Sequence, residues 1–527
     1  MWLYIVTAVL AFAYWFLIRP HSFWIRRGVP QGKPMPIFGD SWEIIFRKQA
    51  PPEVIQKMYN YNKDSRYVGV YQFTIPSLII RDPELIKQVA VKDFDHFVDH
   101  RGFISAEADP LFGNNLLSLR GHKWREMRST LSPSFTSSKM KYMFSLMSKS
   151  GEQFVQHFLK QNENVISVEM KDVLSRFAND IIGNTVFGFE CDSLKEPNNE
   201  FFVMGKEASD FTSLRKIFVF IGYVVIPKLI TFFKISLFSD KMIKYFTRII
   251  KENIESREKY AVVRPDMISL LLEARKNSSK DEEAVIPDAG FATVEESEVD
   301  KNQKFRKTQI TDEVIASQAF IFFFAGFDSV SSLMCFMAHE LAVNLDVQEK
   351  LKEEIDNIRE KCNGIITYEF IVSMKYMDMV VSETLRKWPN AIATDRICTK
   401  PYTIEPKTPY EKPVHLKPND VIYIPMYAIQ RDPKNYPDPD RFDPERFSEE
   451  NKSKIKPYTF IPFGVGPRSC IGSRFALLET KILFYHLLSH FNIIPIEKTQ
   501  IPIRFNRKAI NMAAEKGFWL GLQRRFQ

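Results

Sequence analysis

The stretch Phe463-Gly464-Val465-Gly466-Pro467-Arg468-Ser469-Cys470-Ile471-Gly472 decides how the rest of the 527-residue chain is read. Gly464 and Gly466 permit a tight, bulged loop in backbone conformations closed to residues with a Cβ, and Pro467 stiffens it. From Ile471 to Leu488 the apolar spacing predicts a helix, so the Cys470 sulfur stands near a helix N-terminus. The free N–H groups and the dipole at such a terminus favour thiolate over thiol. Gly472 leaves room for a flat ligand to approach the backbone. Arg468 is placed to meet an anionic group at the ligand's edge, and Phe463 to shield the sulfur. A glycine-rich turn carrying a buried thiol is the plainer alternative, and the whole combination argues against it.

The other cysteines, Cys191, Cys335, Cys362 and Cys398, are far apart in sequence and make an odd total of five with no C-x-x-C. That pattern argues against a disulfide framework or a zinc site and fits a reducing compartment. A hydrophobic fraction of 45% with 26% charged residues is a globular composition. The 45 phenylalanines suit a core packed around something flat and apolar. The formal charge of +8 fits an anionic membrane, an acidic partner, or simply a solvated basic surface. Lys and Arg are interspersed with almost as many Asp and Glu, without a basic arm or zinc-finger spacing, which argues against nucleic acid.

Trp2 to Ile18 carries no charge and, at about 1.5 Å per residue, reaches the lower limit of roughly 17 residues for a membrane span. Arg19, His21, Arg26 and Arg27 follow it. The positive leader and trailing small residues of a cleaved signal peptide are both missing. Residues 1–19 therefore read as a signal anchor with the basic flank in the cytosol; a cleaved signal and a buried helix are the alternatives. Residues 20–40 carry Pro30, Pro34 and Pro36 and read as a stiff connector. No second linker divides residues 41–527. The charged stretch Arg275 to Lys307 reads as a surface loop. Thr311 to Val343 is the longest helical run, and strands are expected near Tyr67–Arg81, Tyr402–Ile404, Val421–Tyr423 and Phe518–Leu522. The fold class is an α-rich mixed α/β domain with small sheets.

Two further motifs lie upstream of the cysteine loop. Glu383-Thr384-Leu385-Arg386 sits in a helical run, where positions three apart share a face and can pair. Pro444-Glu445-Arg446-Phe447 follows it. Taken with the cysteine loop, whose every defining position is filled, the chain resembles the cytochrome P450 family from the anchor to about Leu522, and animal xenobiotic-metabolising members, insect ones in particular. The resemblance implies the P450 fold and haem b (iron protoporphyrin IX), with Cys470 as the axial ligand whose electron density favours O–O cleavage. It implies that Glu383, Arg386 and Arg446 form a structural network behind the haem. Trp124 and Arg128, one helical turn apart, and Arg396 would meet haem propionates, with His100 or Arg101 as one more contact. Trp124 and Arg128 on an ordinary surface helix are the plainer reading.

The resemblance further implies that Asp328 and Ser329, after Phe324-Ala325-Gly326-Phe327, order a proton path for dioxygen. Gly326 costs its helix about 1 kcal/mol against Ala, which suggests a groove or a local opening of the hydrogen-bond ladder. The family usually has threonine at the Ser329 position, so more uncoupled oxygen reduction is expected here. Pocket-lining residues by resemblance are Phe103, Phe112, Phe320, Phe324, Ala325, Ile392, Ala393 and Met512, which predicts a lipophilic substrate held by shape. The chain has no G-x-G-x-x-G fingerprint, so its electrons come from elsewhere. The resemblance implies NADPH–cytochrome P450 reductase at the endoplasmic reticulum membrane, with cytochrome b5 as an optional second donor. Lys123, Arg125, Lys139 and Lys141 would form the docking face, or be merely solvated. Phe211 to Ile250 would dip into lipid, or simply be core. Plant toxins or insecticides are the expected substrates, with an endogenous steroid, terpenoid or fatty acid as the alternative. A haem sensor or carrier without monooxygenase activity is the alternative of another class.

Overall fold

The computed structural model of the chain describes residues 1–102, 104–260, 266–276 and 310–525. Phe103 and residues 277–307 of the expected charged loop lie outside the described residues.

The N-terminal helix α1 (Trp2–Ala13) continues through irregular helical turns to Arg26 and is exposed along its apolar length, long and apolar enough to cross a membrane. Its base is held firmly. Trp24 is buried over Gly69, where a Cβ would come within 2.3 Å of the indole. Gln31 reaches the Tyr71 hydroxyl at 2.6 Å. The proline-containing segment thus lies along the first strand rather than crossing open solvent.

Strands β1 (Tyr67–Gln72) and β2 (Ile75–Ile80) form a hairpin turned at Phe73, the single stretch expected there resolving into two strands. The helices that surround the site then run in order. They are α2 (Gly121–Leu131), α3 (Ser137–Leu159), α4 (Met170–Ile182), α5 (Glu200–Ser209), α6 (Leu214–Val225), α7 (Asp240–Tyr260), α8 (Asp312–Val343), α9 (Leu345–Lys361), α10 (Lys375–Lys387) and α11 (Ser473–His490). Helix α8 starts where Thr311 caps the Val314 N–H and Asp312 and Glu313 meet the positive end of the dipole. Its second half, from Val330 to Ala342, is almost wholly buried, as befits a helix that packs against α4, α7, α10 and α11.

Among the described residues, three small sheets flank the helices. Strand β3 (Val165–Glu169) precedes α4; β4 (Thr394–Ile397), β5 (Tyr402–Ile404), β6 (Val414–Leu416) and β7 (Val421–Ile424) follow α10; β8 (Phe491–Ile494) and β9 (Trp519–Arg524) close the chain. The orders are β1-β2-β7-β4, β3-β9-β8 and β5-β6, and every pair is antiparallel except β2–β7. Strands β3, β4, β6 and β8 were not expected from sequence. They are short, and β3 gains its character from pairing Val165 with Gln523 at the far end of the chain. The result is the α-rich mixed architecture expected from periodicity.

Candidate functional site

The cysteine loop is shaped by its glycines. Gly464 and Gly466 hold φ of +79° and +74°, and a Cβ on Gly466 would fall 1.9 Å from the Ala90 carbonyl oxygen. The Cys470 N–H donates to Phe463 O at 2.8 Å and closes the loop. Helix α11 begins three residues later, a little beyond the expected start. Burial pushes the Cys470 thiol up, while the Gly472 N–H and the positive Arg128 pull it down. Yet Cys470 is the one cysteine of the five whose side chain is exposed. A sulfur that is desolvated by protein yet accessible lies on the wall of an internal hollow. Phe135 ties this loop to α8: its ring stacks on Phe322 at 5.5 Å and lies 3.8 Å from where a Gly472 Cβ would be.

Three buried guanidiniums gather beside the loop. Arg128 donates to Ser469 O at 2.9 Å, Arg396 to Val465 O at 3.1 Å, and Arg468 to Val98 O and Leu119 O at 2.8 Å each. Burial, then mutual repulsion from Arg396, brings Arg468 down to about 9, and burial brings Arg396 down to about 10. Asp99 stands 3.4 Å from Arg468. Asp395 is already engaged by the His100 ring and the Arg101 N–H. Burial, above all, lowers the His100 pKa, and the Arg101 side chain turns to Gln72 at 2.6 Å. The cluster therefore carries more positive than negative charge, and the buried Arg396 Nε has no partner among the described residues. Trp124 is buried with Arg468 4.0 Å over its ring. A thiol on the wall of a hollow and an excess of guanidinium beside it fit a flat prosthetic group with a soft-ligand metal and anionic edge substituents.

Behind the loop, Glu383 and Arg386 are fully buried and make a forked pair at 2.7 and 2.8 Å. Arg386 also donates to Gln430 O at 3.0 Å and Pro439 O at 2.8 Å, and the Asp443 N–H donates to Glu383 at 2.9 Å. Arg446 lies 3.6 Å from Glu383 and donates to Asp438 O at 3.0 Å. The three residues singled out from sequence are together.

Midway along α8, Lys171 donates to Asp328 at 2.9 Å and Asn511 donates to its other oxygen at 3.1 Å. Burial would raise the Asp328 carboxyl, but Lys171 and Asn511 outweigh it and hold the group below its ordinary value. Sequence reasoning missed both partners. The Ser329 hydroxyl donates to Ala325 O at 2.5 Å. The α-helix is unbroken from Asp312 to Val343, so the opening of the ladder expected at Gly326 is not there. Gly326 serves close packing instead, since a Cβ would meet Ile182 of α4 at 2.9 Å.

Ala325 is exposed midway along this largely buried helix, between half-buried Phe324 and Gly326, which sets it on an internal surface. Beside it Phe324 meets Phe112, Phe211 and Phe238 at centroid distances of 5.8, 6.0 and 6.2 Å. Ile392 and Ala393 are half-buried. Phe320 is sealed between Phe238 and Phe246, and Met512 lies in the core. On the outer face Arg125 pairs with Asp95 and Lys141 with Glu369, and neither Lys123 nor Lys139 has an ion pair among the described residues.

Residues 29–520 match the family model described as Cytochrome P450. Cytochrome P450 9e2 of Blattella germanica is 45% identical over 540 residues, covering 100% of this chain and 98% of its own. Probable cytochrome P450 9f2 of Drosophila melanogaster is 40% identical, covering 96% and 95%. Cytochrome P450 6k1 of Blattella germanica is 34% identical, covering 98% and 95%. A loop cysteine on an inner hollow, an arginine cluster short of anions, and likeness along the whole length lead to one conclusion: the chain belongs to the cytochrome P450 family and is a haem-dependent monooxygenase.

Proposed function

We propose that this monooxygenase oxidises lipophilic foreign compounds, such as plant toxins or insecticides, at the cytosolic face of the endoplasmic reticulum. Electrons would come from NADPH through the membrane-bound flavoprotein reductase. Haem, when bound, supplies the activation of dioxygen, with one oxygen atom going to substrate and the other to water. Cys470 would be its sulfur ligand, and Arg128, Arg396 and Arg468 would neutralise its propionates. Asp328, kept ionised by Lys171 and Asn511, takes up a proton from solvent, and the Ser329 hydroxyl carries it inward once it leaves the Ala325 carbonyl.

The observation that carries the substrate reading is the wall around Phe324. Phe112, Phe211 and Phe238 contribute rings to it, so ligands are selected by shape and apolarity. Helix α6 and the residues after it expose Leu214, Phe218, Leu229, Phe232 and Phe233. An exposed apolar patch of this kind suits contact with lipid, from which such substrates would partition. Likeness to two insect species' P450s along the full chain supports the same reading.

The test is reconstitution of the full chain with reductase and NADPH, followed by mass spectrometry over a panel of lipophilic compounds. Products carrying one added oxygen are expected, with matching NADPH consumption. A protein that shows the red-shifted band of the reduced carbon monoxide complex yet oxidises nothing in the panel would be a haem binder of another kind.

A further inference from the structure

Lys216, near the start of α6, is only 7% exposed, and among the described residues no carboxylate lies within ion-pair distance of it. Asp210 and Glu207 act on it only from beyond that distance, and a buried ammonium with no carboxylate in contact is costly. Its protons go instead to main-chain carbonyls at the end of α5: those of Glu207, Asp210 at 2.8 Å and Ala208 at 3.5 Å. These oxygens have lost their helical partners and stand at the negative end of the dipole, so they suit a cation. The ammonium also lies 5.4 Å from the Phe211 ring centroid and 5.7 Å from that of Phe238, a cation–π arrangement with both. Those are two of the rings that meet Phe324.

The surroundings bolt the same corner down. Arg215 donates to Ser236 O at 3.0 Å, Ser236 donates to the buried Asp109 at 2.7 Å, and Ser239 donates to Glu207. Asp109 caps the turn Pro110–Gly113 that carries Phe112, and Phe112 lies 5.6 Å from Phe238. Four rings from four chain segments therefore form one closed group, with Lys216 at the joint between α5 and α6.

We propose that Lys216 is a positioning residue that sets ligand specificity by fixing this aromatic roof. The proposal rests on the reading that Phe324 faces the ligand. A roof held in advance need not be ordered by what binds beneath it. Ligands large enough to touch the roof gain from that order; ligands that stay near the haem do not.

The test is spectral titration of the ferric full-length holoprotein with imidazole, 1-phenylimidazole and a biphenylyl imidazole, which read binding without turnover. In Lys216→Met, which keeps the apolar stem, the preference for the biphenylyl ligand over imidazole should fall about tenfold, the factor that corresponds to about 1.4 kcal/mol. Imidazole itself should keep its Kd, the carbon monoxide band should be unchanged, and Lys216→Arg should restore the preference. Phe211→Leu and Phe238→Leu, which leave the ammonium in place, should give the same loss, not additive with Lys216→Met. They also carry the test should Lys216→Met fail to hold haem. An unchanged preference in these variants, or an equal loss for all three ligands, overturns the proposal. If Phe324→Ala leaves the whole series unchanged, it is the placement of Phe324 in the site that fails.

Discussion

Gly466 has no freedom to be another residue. Its backbone is left-handed and the Ala90 carbonyl fills the space where a Cβ would go. Gly466→Ala should cost about 3–5 kcal/mol through overlap and strain combined, read as a lower Tm and incomplete haem content in purified protein. Glu479 poses the opposite problem. It is fully buried in α11 and, among the described residues, neither carboxylate oxygen has a partner, so burial lifts its pKa well above that of an ordinary glutamate. Between that value and the folded one, the folded state binds more protons than the unfolded, and stability falls as pH rises. Glu479→Met should therefore raise stability at neutral pH by about 1–3 kcal/mol and flatten this part of the stability–pH curve, checked by denaturation across pH. The role of Gly466 could be read from sequence, because glycine beside proline and cysteine has a local meaning. The isolation of Glu479 could not, because it depends on which residues close around α11.

Among elements, the packing of α4 against α8 matters most for the chemistry. Lys171 and Asp328 are separated by 157 positions, and Asn511 and Asp328 by 183. No spacing rule reaches that far, which is why Asp328 was recognisable and its partners were not. The partners hold Asp328 down, so Lys171→Met should let burial raise it. The acid limb of the turnover–pH profile then moves to higher pH, because a more basic carboxyl needs higher pH to ionise. An unmoved limb would show that Asp328 does not limit proton supply. Helix α10 makes the second connection. Arg386→Met leaves Glu383 in a dry core with only the Asp443 N–H and the more distant Arg446, and should cost about 3–5 kcal/mol. Arg386→Lys should recover part of this at most, since an ammonium cannot reproduce the fork; urea denaturation of the two variants decides. That pair was legible from an i,i+3 spacing. The carbonyls of Gln430 and Pro439 that complete it were not, because loop carbonyls leave no trace in side-chain sequence.

At the scale of the whole molecule, the long helix periods and the cysteine loop were enough to give the fold class, and the pattern of short strands was not. A strand of three or four residues such as β6 or β8 is defined by its partner rather than by its own alternation. The opening of the ladder expected at Gly326 failed for a related reason: a glycine in a helix signals close approach, and sequence does not say of what. Removing residues 1–18 takes away the exposed apolar helix and leaves Trp24 in place. The shortened protein should keep its carbon monoxide band and thermal transition while moving from the membrane pellet to the supernatant after detergent-free lysis.

The indole of Trp24, shut over Gly69, has one more implication. It makes the foot of the first helix and the β1–β2 hairpin a single stiff piece. In any bilayer that takes up the helix, that helix works as a mast and not as a tether. Tilting it tilts the globule, so the heading of the catalytic body over the lipid plane is dictated by side chains locked at the mast's foot. Lengthening the proline-containing stretch beyond Trp24 would not turn it.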